Sequence, residues 1–125
     1  MNKEKNKKKF IELLNKINRD GIKDFINWLA TTDFFTAPAS TKYHNAFDGG
    51  LLDHSLNVYK NLLNEVKTIK NVKYSDDTLI IVALLHDICK ADFYETSMRN
   101  VKKNDKWIQE PYYTINDSFP IGHGE

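Results

Sequence analysis

Leu79-Ile-Ile-Val-Ala-Leu-Leu85 runs directly into His86-Asp87, and this stretch decides the fold. An uninterrupted apolar run of this kind is typical of the most buried helix of a small domain. The next two residues place an imidazole and a carboxylate beside the core, where an ionised carboxylate must be paired, hydrogen-bonded or bound to metal. We expect the helix to continue to about Lys90, so that Asp87 lies near a helix C-terminus, where the dipole disfavours negative charge. Because burial and the helix dipole both disfavour this pair, we expect His86 and Asp87 to have a function that offsets the cost.

The composition predicts one domain with one core. The chain has 125 residues, of which 41% are hydrophobic and 28% charged, and its formal net charge is +1. No strong field therefore points to nucleic acid or to a membrane. The single cysteine, Cys89, excludes an intramolecular disulfide and fits a reducing compartment. Because no apolar stretch is long enough to span a membrane, we expect a cytoplasmic protein without a membrane partner.

Helical spacing of apolar residues recurs four times. The expected helices cover about residues 4–19, 22–30, 49–70 and 76–90. Asp48 is the expected N-cap of the third helix, which begins at Gly49-Gly50, and Ser75 is the expected N-cap of the fourth. The basic residues 3–9 are expected to be a solvated helix start, with a contact to a phosphate backbone as the alternative.

Two non-helical segments are expected. Residues 31–48 lack a period and contain Pro38, which predicts a long ordered loop of the kind that often carries function. Its expected anchors are aromatic: Phe34, Phe35, Tyr43 and Phe47. Residues 94–97 and 107–115 predict a short β-hairpin. Trp28 and Trp107 are expected to anchor the core or a lid, and the alternative for Trp107 and Tyr112-Tyr113 is a substrate cleft.

The histidines are the candidates for chemistry: His44, His54, His86 and His123. His54 borders the inward face of the third helix, so it faces the same site as His86 if the third and fourth helices pack together. Asp87 adds an oxygen ligand. Two imidazoles and a carboxylate suit Mn, Fe, Co, Ni or Zn and leave positions for water and substrate. The structural alternative is a set of independent histidines with Asp87 paired to Lys90.

Three stretches resemble the HD-domain metal-dependent phosphohydrolases. Tyr43-His44-Asn-Ala-Phe-Asp-Gly-Gly-Leu-Leu-Asp-His54 is similar to their first ligand motif. Leu84-Leu-His86-Asp87-Ile-Cys-Lys90 is similar to the second, the pair for which the superfamily is named. Phe119-Pro-Ile-Gly-His123-Gly-Glu125 resembles a Gly-His segment of several branches. The nearest members are bacterial and phage HD hydrolases and the HD domain of some 3′–5′ exoribonucleases.

The resemblance implies a mainly α fold, an HD-domain helical bundle with a small β-hairpin near the C-terminus. We expect a single domain over residues 1–125, with N-terminal helices in residues 1–30 and the HD-like motif region in residues 38–125. The family pattern ends with a further Asp ligand on a later helix. Because that ligand has no counterpart before Glu125, we expect the motif region to be incomplete at its C-terminus.

The resemblance also implies the roles of individual residues. His54, His86 and Asp87 would bind a divalent ion, which would be Mn, Fe, Ni, Co, Mg or Zn. His123 is the candidate additional ligand if there are two ions. Asp87 and Lys90 are the expected catalytic residues, and Lys90 would either steady a substrate phosphate or pair with Asp87. His44 is the second expected substrate contact.

The implied activity is hydrolysis of a phosphomonoester or phosphodiester in a nucleotide or nucleic acid. A bound metal ion would lower the pKa of a water molecule and neutralise charge on the phosphoryl oxygens. One alternative is a catalytically degenerate HD module that binds a nucleotide or protein partner through residues 31–48. A second is a nucleic-acid-binding domain led by the basic N-terminus, whose binding would depend steeply on salt. A homo-oligomer is left open, since a second copy would complete a truncated site.

Overall fold

A computed structural model describes residues 2–42, 45–69 and 73–116. These residues form helices followed by an antiparallel two-stranded hairpin. The elements are α1 Lys3–Asn15, α2 Ile22–Thr31, α3 Gly50–Thr68, α4 Asp76–Leu85, a 3₁₀ turn Ile88–Lys90, β1 Tyr94–Lys103 and β2 Lys106–Ile115. The mainly α fold with a hairpin near the C-terminus is confirmed. No helix in these three described ranges is long and apolar enough to cross a membrane.

The core is built from the helices and from the loop that precedes α3. The fully buried large side chains include Phe10, Leu14, Leu29, Phe34, Leu51, Leu52, Ile80 and Leu84. Phe34 comes from the loop, and its ring lies 5.1 Å from the ring of Phe10 between centroids. Phe35 meets Phe10 edge-on at 5.8 Å. The loop is therefore ordered by its aromatic residues, as predicted.

Three other aromatic residues were wrongly expected to be anchors. The side chain of Phe47 is 41% exposed, and the residue is held by its backbone carbonyl, which accepts a bond of 2.8 Å from the N–H of Gly50. Trp28 is 50% exposed and packs against Phe25 on the outer side of α2. Trp107 is 71% exposed, since it lies near the tip of the hairpin. Tyr43 lies outside the described residues.

The start of α3 differs from the prediction in its cap. Asp48 is not the N-cap; that position is taken by Gly49, whose φ of 82° lies in the left-handed region. Asp48 instead pairs with Lys3 at the start of α1. The loop carbonyls of Thr36 and Ala37 accept bonds of 2.9 Å from Gly49 and Leu51 N–H groups. Backbone carbonyls thus replace the expected side-chain cap and bind the loop to α3.

Close packing at Gly50 strengthens this connection. A Cβ atom on Gly50 would lie 2.0 Å from the backbone oxygen of Asn45, a separation that no side chain tolerates. The loop can therefore approach the first turn of α3 only where glycine stands. The Asn45 side chain then continues the contact by donating to Asp53 Oδ2 at 3.2 Å.

The fourth helix begins as predicted and ends early. Ser75 is its N-cap and accepts from Thr78 N–H at 3.2 Å. The helix stops at Leu85 and does not reach Lys90, because the chain tightens into a 3₁₀ turn in which Lys90 N–H donates to the Asp87 carbonyl at 2.9 Å. Side chains three residues apart eclipse one another in a 3₁₀ turn. Asp87 and Lys90 therefore remain on the same side although the α-helix has ended.

The hairpin is longer than predicted and is tied to the loop. Its strands pair from Tyr94 with Ile115 to Lys103 with Lys106. The connecting residues Asn104 and Asp105 both have positive φ, as a tight hairpin turn requires.

Before the hairpin, Asp33 and Asp92 connect the loop to the chain segment that leads into β1. Each carboxylate accepts a hydrogen bond from the backbone N–H of the other residue, at 2.6 and 3.0 Å. Burial raises the pKa of Asp33, and the nearby charge of Asp92 raises it further.

Candidate metal centre

The two histidines expected to share a site meet where α3 packs against α4. His54 lies on the first half of α3, and His86 is the C-cap residue of α4. Their Nε2 atoms are 3.3 Å apart, and the ring centroids are separated by 5.2 Å. The packing of the two helices therefore brings together imidazoles that are 32 residues apart in the chain.

Asp87 completes the group. Its Oδ2 atom lies 3.0 Å from His86 Nε2 and 3.2 Å from His54 Nε2, and the residue is only 2% exposed. Metal–ligand bonds of roughly 2.1 Å place neighbouring ligand atoms about 3.0 Å apart at right angles and about 3.4 Å apart at tetrahedral angles. The three separations fall within this range. Within the described part of the chain, this is the group of histidine, cysteine and acidic residues with the proximity needed to hold a metal ion.

The hydrogen bond of His86 on its other side determines which nitrogen faces the group. Nδ1 lies 2.7 Å from the backbone oxygen of Ala83. Because a carbonyl oxygen only accepts, Nδ1 carries the hydrogen, and in the neutral ring the lone pair of Nε2 points toward Asp87 and His54. A lone pair directed at a carboxylate oxygen is repelled unless a cation lies between them. The arrangement therefore calls for a proton or a metal ion at the point where Nε2 and Oδ2 converge.

Lys90 provides the positive charge next to this point. Its Nζ lies 3.6 Å from Asp87 Oδ2 and donates to the Ala39 carbonyl at 2.7 Å. The residue is 6% exposed, which places the ammonium under the loop and away from open solvent. Of the two expected roles, pairing with Asp87 is the one seen. A buried ammonium so close to the carboxylate also offsets part of the cost of burying Asp87.

Tyr94 is a neighbour that the sequence did not identify. Its hydroxyl donates to the same Ala39 carbonyl at 3.2 Å. Burial raises the pKa of Tyr94, and the negative charge of Asp87 raises it further, so the hydroxyl stays protonated near neutral pH. No spacing rule connects Tyr94 or Ala39 to the histidines, because the connection is made by the loop and the hairpin in three dimensions.

The remaining predicted site residues have different outcomes. His44 and His123 lie outside the described residues, so their roles as substrate contact and additional metal ligand stay predictions. Tyr112 and Tyr113 line a cleft of about 970 Å³ between the loop and the hairpin. Trp107 is not part of that lining, contrary to the alternative that placed it there.

Comparison with known proteins gives one informative similarity. The chain is 37% identical over 57 residues to the dihydroneopterin 2′,3′-cyclic phosphate phosphodiesterase of Methanocaldococcus jannaschii, and the match covers 43% of this chain and 23% of that protein. The chain thus spans less than a quarter of the relative. No protein-family model and no solved structure matches the chain. A relative named as a phosphodiesterase, together with a His/Asp group of metal-binding geometry, fits a phosphohydrolase.

Proposed function

We propose that this chain carries the metal centre of an HD-type, metal-dependent phosphohydrolase acting on a phosphomonoester or phosphodiester of a nucleotide or nucleic acid. The observation that carries the proposal is the convergence of Nε2 of His54, Nε2 of His86 and Oδ2 of Asp87 within 3.3 Å of one another. Three ligands of this kind suit a divalent ion and leave coordination positions for water and substrate.

Each residue of the proposed site has its own role. His54, His86 and Asp87 hold the ion, which when bound supplies an activated water nucleophile and neutralises charge on the phosphoryl oxygens. The bond from His86 Nδ1 to Ala83 fixes the orientation of the His86 ring, as the outer partners of metal-binding histidines commonly do. Lys90 balances the charge of Asp87, and contact with a substrate phosphate is its further proposed role. His44 as a substrate contact and His123 as a ligand for a second ion are further parts of the proposal.

The similarity to a cyclic phosphate phosphodiesterase favours a diester among the candidate substrates. An assay panel should therefore contain 2′,3′-cyclic nucleotides beside nucleoside monophosphates, a short oligonucleotide and a chromogenic phosphodiester. Mn²⁺, Zn²⁺ and Mg²⁺ should be added separately, because the ligand set accommodates several divalent ions.

In this assay the substitution His54→Ala is expected to lower the metal-dependent rate by about 100-fold or more, since it removes one of three ligands. The matched control is Lys60→Ala, an exposed residue on the same helix, which should hydrolyse the substrate at the wild-type rate. If His54→Ala retains full activity, the hydrolysis does not come from this site. If the wild type binds metal but hydrolyses nothing in the panel, the chain is a binding module.

A further inference from the structure

The cleft beside the metal centre has one wall from the hairpin and one from the loop. Tyr94 and Thr96 lie on the same face of β1, and Tyr113 on β2 is the cross-strand partner of Thr96. All three line the cleft, opposite loop residues 36–38. The cleft is open to solvent and its volume of about 970 Å³ is at the upper end of small-molecule sites, which hold roughly 300–1,000 Å³.

The cleft and the metal centre share a wall. The Ala39 carbonyl accepts from Lys90 on the side of Asp87 and from Tyr94, which lines the cleft. A ligand in the cleft is therefore separated from the Asp87–Lys90 pair by one carbonyl group and the side chains bonded to it. The shared carbonyl thus makes the cleft a direct neighbour of the metal centre.

The charged groups in the cleft lining already have partners within the protein. These pairs are Asp48 with Lys3, Arg99 with Glu110, and Asp33 with the backbone N–H of Asp92. Lys42, the remaining charged side chain of the lining, is engaged as well. Both cationic side chains of the lining, Arg99 and Lys42, are therefore already engaged, in contrast to the converging ligands of the metal centre. An anionic group would be drawn to the metal centre, and a neutral group would suit the cleft.

The neutral part of the lining is aromatic and hydroxyl-rich. The guanidinium of Arg99 lies over the ring of Tyr112 at 5.2 Å, which holds that ring in place. Burial raises the pKa of Tyr113, and the charge of Asp48 raises it further, so its hydroxyl is neutral. Tyrosine rings offer stacking faces, and their hydroxyl groups both donate and accept hydrogen bonds. Such a lining matches a planar heterocycle attached to a sugar.

We propose that this cleft binds the nucleoside half of a mononucleotide whose phosphate reaches the metal centre. The placement of the phosphate rests on the proposed function, whereas the binding of the nucleoside rests on the cleft alone. A nucleic-acid polymer fits less well, because its successive phosphates require a row of uncompensated cations. The cleft residues would therefore select the substrate by its base and sugar, and the metal centre would act on its phosphate.

The test uses nucleosides without phosphate and protein without metal. Backbone-amide NMR is recorded while adenosine, guanosine, cytidine and uridine are titrated separately. At least one of them is expected to shift the amides of Thr96 and Tyr113, with a Kd of roughly millimolar order, as suits a small neutral ligand. The absence of any shift at these amides with all four nucleosides would overturn the proposal.

Two tryptophan variants make the test specific to the cleft. Thr96→Trp places a large ring inside the cleft and is expected to weaken nucleoside binding by about tenfold or more. Lys102→Trp is the matched control, because it puts the same ring on an exposed residue of the same strand that is not part of the cleft lining. Equal binding by both variants would contradict a site in the cleft. Tighter binding of an oligonucleotide than of the mononucleotide with the same base would contradict the choice of ligand.

A third variant separates this inference from the proposed function. His86→Ala should bind nucleosides as the wild type does but lose the added affinity that the metal-loaded wild type has for the monophosphate. If the wild type binds nucleosides in the cleft but no metal, the proposed function fails while the nucleoside site stands. If it binds metal but no nucleoside, the nucleoside site fails while the metal centre stands.

Discussion

The variant His86→Ala is expected to bind Zn²⁺ or Mn²⁺ with a Kd about 100-fold or more above that of the wild type. The orientation of His86 is determined at both ring nitrogens, because its Nδ1 is bonded to Ala83 and its Nε2 lies 3.0 Å from Asp87 Oδ2. Without it only His54 and Asp87 converge, so the ion loses one of its three bonds to the protein. Competition with a chromogenic chelator measures the change.

Thermal unfolding gives a second measurement of the same effect. A metal concentration of about 100 times the Kd stabilises the folded state by about 2.7 kcal/mol, and the variant should show little of this gain at the same concentration. Val82→Ala is the control, since Val82 lies four residues earlier in the same segment and is 56% exposed. The control should bind metal like the wild type. Equal metal affinity in His86→Ala and Val82→Ala would remove His86 from the site.

Lys90→Met is expected to lower the free energy of unfolding of the metal-free protein by about 3–5 kcal/mol. Methionine replaces the stem of Lys90 but not its charge, so Asp87 stays buried without the ammonium at 3.6 Å. The Ala39 carbonyl also loses one of its two donors, the closer one at 2.7 Å. Urea denaturation in the presence of a chelator measures the loss without any contribution from metal binding.

The double variant Lys90→Met/Asp87→Asn distinguishes an electrostatic cause from a packing cause. An amide at position 87 has no charge to bury, so the double variant should be more stable than Lys90→Met alone. Equal stability of the single and double variants would show that lost packing, not the unpaired charge of Asp87, causes the effect. A loss below about 1 kcal/mol in Lys90→Met would contradict a stabilising ion pair.

The approach of His54 to His86 was predictable because both belong to strongly patterned helices. The apolar positions of α3 and α4 determine which faces pack, and each histidine lies beside one of those faces. The end of α4 was not predictable in the same way. No glycine or proline marks Leu85, and the tightening into the 3₁₀ turn is supported by the bond from Lys90 to Ala39, 51 residues earlier in the chain. A local pattern contains no information about such a partner.

The start of α3 illustrates the same limit. Asp48 before Gly49-Gly50 has the local features of an N-cap, yet the loop carbonyls of Thr36 and Ala37 perform that role. Backbone carbonyls are present at every position, so their use as caps leaves no signature in the residue types. The shared wall between the cleft and the metal centre was hidden for the same reason, because the Ala39 carbonyl forms it.

The most direct test of the metal centre is NMR of the histidine ring nitrogens with and without one equivalent of Zn²⁺. We predict that Nε2 of both His54 and His86 takes a metal-bound chemical shift, while Nδ1 of His86 keeps its hydrogen and its bond to Ala83. If the Nε2 shifts of both rings are the same with and without Zn²⁺, the two histidines do not form a metal centre.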